Sequence, residues 1–83
     1  MRSAWTDFAN TLDGGMLGAA EIYRKDGEII LNTNGMTTEQ LVQAMVGTGK
    51  VTETQARMMI ADFKNYSADF AHEMAENDLP EAI

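Results

Sequence analysis

The chain has 83 residues, 13 acidic against 6 basic side chains and no cysteine, so its net charge is −7. A chain this short forms one domain, buries only about 60 to 65% of the surface it exposes when unfolded, and here lacks the thiols for a disulfide or a thiolate zinc site. The charge has the wrong sign for a simple phosphate-binding protein, whereas 45% hydrophobic and 23% charged content is that of a globular chain.

Ser3, Trp5, Phe8, Ala9 and Leu12 open the chain with an apolar stripe at helical spacing. They predict a short helix over 3–12, capped by Ser3 and ended by Asp13-Gly14-Gly15, with a flexible link to Gly18. Residues 19–33 place Asp26-Gly27 between two runs of strand formers, the signature of a hairpin with a type I′ turn. Counting outward pairs Lys25 with Glu28, Tyr23 with Ile30 and Ile22 with Leu31. One face then carries Ala20, Ile22, Ile29 and Leu31, and the other Glu21, Tyr23, Ile30 and Asn32. A lone hairpin is barely stable in water, so this one is expected to lie on helices or to extend a partner's sheet.

Thr37 with Gln40 is a capping box, and Met36 with Leu41 stands at the hydrophobic-staple positions around the same helix start. A helix over 38–46 follows and stops at Gly47-Thr48-Gly49. Thr52 with Gln55 repeats the box and opens the longest predicted element, a helix over 53–77. Its apolar stripe runs through Ala56, Met59, Ile60, Phe63, Ser67, Phe70 and Met74. Proline at position 80 ends it, and 81–83 read as a frayed tail. The predicted fold class is α+β: a short helix, a hairpin, a short helix and a long one.

The chemical signals are sparse. His72 is the lone histidine, and the string His72-Glu73-Met74-Ala75-Glu76 lacks the second histidine of a zincin helix. The sequence reads it as a solvated histidine on an acidic face. Ser3 and Ser67 have no positioned base, and Gly47-Thr48-Gly49-Lys50 joins two helices instead of following a strand, as a phosphate loop would. No catalytic residue, metal or cofactor is expected. No uncharged apolar run approaches the roughly 18 residues of a membrane span, and the start Met1-Arg2-Ser3-Ala4-Trp5 lacks the apolar core of a signal peptide, so the default location is cytoplasmic.

Two features of the long helix suggest partners. Met58 and Met59 are adjacent, about 100° apart on a helix, so the apolar arc is wide. Self-association as a homodimer is therefore expected through Met58, Met59, Phe63 and Phe70, methionine being an adaptable contact residue. Residues 51–83 also hold seven acids against two bases. Asp62, Asp69, Glu73 and Glu76 are thus the expected contact for a protein with a basic surface, with Tyr23 and Ile30 as a second contact.

The run from Met36 to Met45, then Gly49 to Arg57, then Ile60 and Phe63 resembles the opening helix-turn-helix of HU and integration host factor proteins. That resemblance spans residues 36–78 and implies an intertwined dimer built on the long helices. In that family a sheet and two basic arms follow, whereas here the hairpin precedes the helical pair. A compact, acidic, cysteine-free α+β chain is also similar in type to small inhibitor proteins of phages and mobile elements, including anti-CRISPR proteins. The leading expectation is a non-enzymatic protein that binds another protein and inhibits a nucleic-acid-handling complex. The alternatives are an HU-like nucleic-acid-binding module using Arg24, Lys25, Lys50, Arg57 and Lys64, and a structural or assembly subunit.

Overall fold

The computed structural model describes residues 4–12 and 15–79. The element order is α1 (Ala4–Leu12), β1 (Met16–Leu17), β2 (Ala20–Lys25), β3 (Glu28–Asn32), α2 (Thr38–Gly47), α3 (Glu53–Tyr66) and α4 (Ala68–Asn77). The class is α+β, as the sequence predicts. The Ser3 cap, the Asp13-Gly14 part of the first stop signal, Pro80 and the tail over 81–83 lie outside the described residues.

The hairpin has the expected turn and register. Asp26 and Gly27 take φ of 52° and 79°, the paired positive values of a type I′ turn, and Lys25, Tyr23 and Ile22 stand opposite Glu28, Ile30 and Leu31. Alternation turns Ala20, Ile22 and Leu31 into the core and leaves Glu21 and Tyr23 outside. The sheet has a third strand that the sequence reading treats as a flexible link. β1 pairs antiparallel with β2 through a two-residue turn in which Gly18 has φ of 60°. Added at Gly18, a Cβ would stand 3.3 Å from the Met36 methyl carbon, so both conformation and space favour glycine there. The strand order β1-β2-β3 leaves β3 at one edge.

Both capping boxes form. The Thr37 hydroxyl accepts from the Gln40 amide while the Gln40 side chain accepts from the Thr37 amide, and Thr52 and Gln55 repeat the exchange. Arg57 on α3 then spans to α2, bonding Glu39 at 2.8 Å and Glu53 at 2.7 Å.

The long helix expected over 53–77 is instead two helices. The backbone at Ser67 is extended, with φ −124° and ψ 110°, and its hydroxyl accepts from the Phe70 amide as the N-cap of α4. In a straight helix, residues seven positions apart would be separated by about 10.5 Å along the axis. Here the Phe63 and Phe70 ring centroids are 4.7 Å apart in an edge-to-face contact. The break therefore folds α4 back and exchanges a continuous helix for aromatic packing. Phe63 also meets Trp5 at 5.3 Å, and the Trp5 indole N–H donates to the Met59 carbonyl at 2.6 Å, which fastens α1 to α3.

The folded-back α4 closes the molecule. Thr33, the buried polar residue among those described, donates its hydroxyl to Glu73 and accepts from the Asn77 amide group at 3.3 Å. Asn77 also donates to the Met36 carbonyl at 2.8 Å, and Asp78 accepts from the Thr38 backbone amide at 2.7 Å and from the Thr38 hydroxyl. Thr38 is the first residue of α2, whose amide has no partner within its own helix, so a carboxylate there satisfies both a hydrogen bond and the helix dipole.

Candidate functional site

Edge strand β3 faces the junction of α3 and α4 across an open groove. One part, of about 230 Å³, lies between Trp5, Glu28, Ile29, Asp62, Phe63 and Tyr66. A second part, of about 290 Å³, runs along β3 toward Asp69, Phe70 and Glu73. The two share Glu28, Ile29, Phe63 and Tyr66, so they form one continuous trough. Its floor is apolar, its rim carries Glu28, Asp62 and Asp69, and no lysine or arginine is among its described lining residues. Tyr66 stands over it 68% exposed, its ring 5.9 Å from that of Phe63.

The geometry follows from local sequence. The Ser67 break ends α3 just after Tyr66, which leaves that ring at a helix terminus instead of on a continuous wall. The cap at Ser67 puts Asp69 in the first turn of α4, where the helix dipole favours a carboxylate. The type I′ turn puts Glu28 at the start of β3, across from Asp62.

The expected contact residues divide among three settings. Asp62, Asp69 and Ile30 line the trough. Glu73 also reaches it, but its carboxylate is committed to Thr33. Glu76 lies outside, paired with His72 at 3.2 Å on an exposed face. Tyr23 projects from the outer face of the sheet opposite Ile30, 43% exposed. Glu28 and Tyr66 are trough residues that sequence reading passes over, Glu28 because it reads as half of a turn ion pair. Tyr66 falls at i+3 from Phe63, a spacing that reads as helix interior.

Of the four residues expected at a dimer contact, Met59, Phe63 and Phe70 are buried in the chain's own core, and Met58 is 62% exposed. Met58 lines a separate depression of about 370 Å³ with Phe8, Thr11, Lys50 and Val51, and Asp62 is its border with the trough. The wide apolar arc of α3 is therefore largely filled by α1 and α4.

The basic residues do not form a stripe. Arg24 and Lys25 sit on the exposed hairpin, Lys50 is in the loop before α3, and Lys64 is half-buried. Arg57 is held between Glu39 and Glu53, whose hydrogen bonds raise its pKa, Glu53 contributing most. Its own hydrogen bond in turn lowers that of Glu39. Among the described residues, no three histidine or carboxylate side chains converge as metal ligands, and no helix is long and apolar enough to cross a membrane.

No family, no curated protein and no solved structure matches the chain.

Proposed function

We propose that this chain is a non-enzymatic protein-binding protein of the cell interior, which docks its acidic trough on the basic surface of a nucleic-acid-handling complex and so inhibits it, as small phage or mobile-element inhibitors do. The observation that carries this reading is the trough itself. An apolar floor with an exposed tyrosine supplies the desolvated centre of a protein contact, and carboxylates on the rim supply steering and register toward lysine and arginine. The dispersal of the bases and the commitment of Arg57 to two carboxylates weigh against direct nucleic-acid binding. Self-association as a homodimer is part of the proposal, and exposed Met58 is the contact that supports it.

The test is capture. Tagged protein expressed in a bacterial cell is expected to retain a nucleic-acid-binding protein, and the triple variant Glu28→Gln, Asp62→Asn, Asp69→Asn to lose it while melting normally. Capture unchanged by the triple variant, or a mobility shift of bare DNA by the wild-type chain at low salt, overturns the proposal. In sedimentation, Met58→Glu is expected to convert a micromolar dimer to monomer.

A further inference from the structure

The trough has one wall of a different chemical kind from the others. A two-residue type I′ turn makes the flanking residues Lys25 and Glu28 a hydrogen-bonded pair, and the pattern alternates along an antiparallel ladder. Tyr23 with Ile30 and Glu21 with Asn32 are then the bonded pairs, so the amides and carbonyls of Glu28, Ile30 and Asn32 turn inward to β2. Those of Ile29 and Leu31 turn outward, away from the sheet. Among the described residues, none bonds to them from that side. β3 is the edge of the sheet, and the space it faces is the acid-rimmed trough. Most edge strands are blunted by a lysine, a proline or a covering segment. Glu28-Ile29-Ile30-Leu31-Asn32 has no lysine or proline; α1 packs against β3 and borders the trough through Trp5 and Thr6, whereas α3 and α4 stand off from the strand across it.

We infer that β3 captures an extended, lysine- or arginine-bearing segment of the partner by strand addition, making it the fourth strand of the sheet with its basic side chains on Glu28, Asp62 and Asp69. This rests on the protein-binding reading above and specifies how the trough is filled. Charge selects the occupant. A second copy of this chain carries net −7 and would bring its own acids to an acidic rim, whereas a basic strand matches it. Backbone pairing supplies affinity without sequence demands, and the apolar floor accepts alternate side chains.

The probe is a fluorescein-labelled Lys-Val-Lys-Val-Lys-Val peptide, with Glu-Val-Glu-Val-Glu-Val as the charge control, followed by anisotropy at low salt. Saturable binding of the lysine peptide alone is expected, with slowed hydrogen exchange at the Ile29 and Leu31 amides. In an added strand only alternate residues turn their backbone toward β3. N-methylation of either the lysines or the valines, but not of both series, is therefore expected to weaken binding about tenfold or more, roughly the loss of one or more backbone hydrogen bonds. Ile29→Pro removes one outward amide while leaving the ladder to β2 intact, as edge prolines do, and is expected to act likewise. The N-methyl series keeps the test valid should that variant misfold.

Binding that depends on Asp62 and Asp69 but ignores both N-methyl series overturns strand addition and leaves the protein-binding reading standing. Equal binding of the glutamate peptide, or none of the lysine peptide, overturns strand addition together with the charge basis of that reading. Loss of a self-associated form in Ile29→Pro assigns the edge to a second copy and also overturns the inference.

Discussion

Thr33 shows at the level of one residue how the end of the sheet is tied to α4. Its hydroxyl is fully buried, and it both donates to Glu73 and accepts from Asn77. Valine has the same shape and neither capability, so Thr33→Val leaves two polar groups facing an apolar neighbour. The expected cost is about 1 to 3 kcal/mol in urea denaturation, and Thr33→Ser is expected to recover most of it. Glu73 changes character for the same reason. From sequence it is one more acid on an exposed face, since a three-dimensional tie across 40 positions leaves no trace in local spacing. A charge reversal at Glu73 would perturb the fold and any partner contact at once. Asp62 and Asp69, exposed on the rim of the trough, are the cleaner positions for a binding test.

At the scale of elements, legibility depended on whether the signal was local. The Asp26-Gly27 turn, the register it sets and both capping boxes are complete within a few residues, and each forms as spaced. The Ser67 break was hidden because Phe63, Ser67, Phe70 and Met74 keep helical spacing straight through it. The local cue was Ser67 followed by Asp69 at the second helical position, a cap without its box partner, because the third position is Phe70. What decides for the break is tertiary: the edge-to-face contact of Phe63 with Phe70 exists only if α4 turns back. Ser67→Ala is expected to cost about 1 kcal/mol by chemical denaturation and Ser67→Asp to restore it. The α2–α3 tie through Arg57 has a pH signature. The pKa of Glu39 is lowered by the Arg57 hydrogen bond from its ordinary 4.5, so the contribution of the tie is complete above 4.5 and lost as pH falls through the lower folded value. The melting-temperature difference between wild type and Glu39→Gln is accordingly expected at pH 7 and to shrink as the pH falls below 4.5.

For the whole molecule, small size predicts reinforcement by a second chain. The structure places part of that reinforcement inside one chain. The fold-back of α4 turns Met59, Phe63 and Phe70 into core, and Asn77 and Asp78 fasten that helix to the start of α2. Asp78→Ala is thus expected to speed hydrogen exchange at the Thr38 amide, 40 positions away, while the hairpin amides change little. The trough was only partly legible, because its acids come from three separate elements and its tyrosine is exposed by a break the periodicity conceals. The same fastening bears on how the chain is made. The residue that secures the first turn of α2 is added 40 positions after it, which at typical synthesis rates is about 2 to 8 s later. For that interval the hairpin and α2 exist without the contact that closes them, and the first turn of α2 must wait for Asp78 before its amide is satisfied.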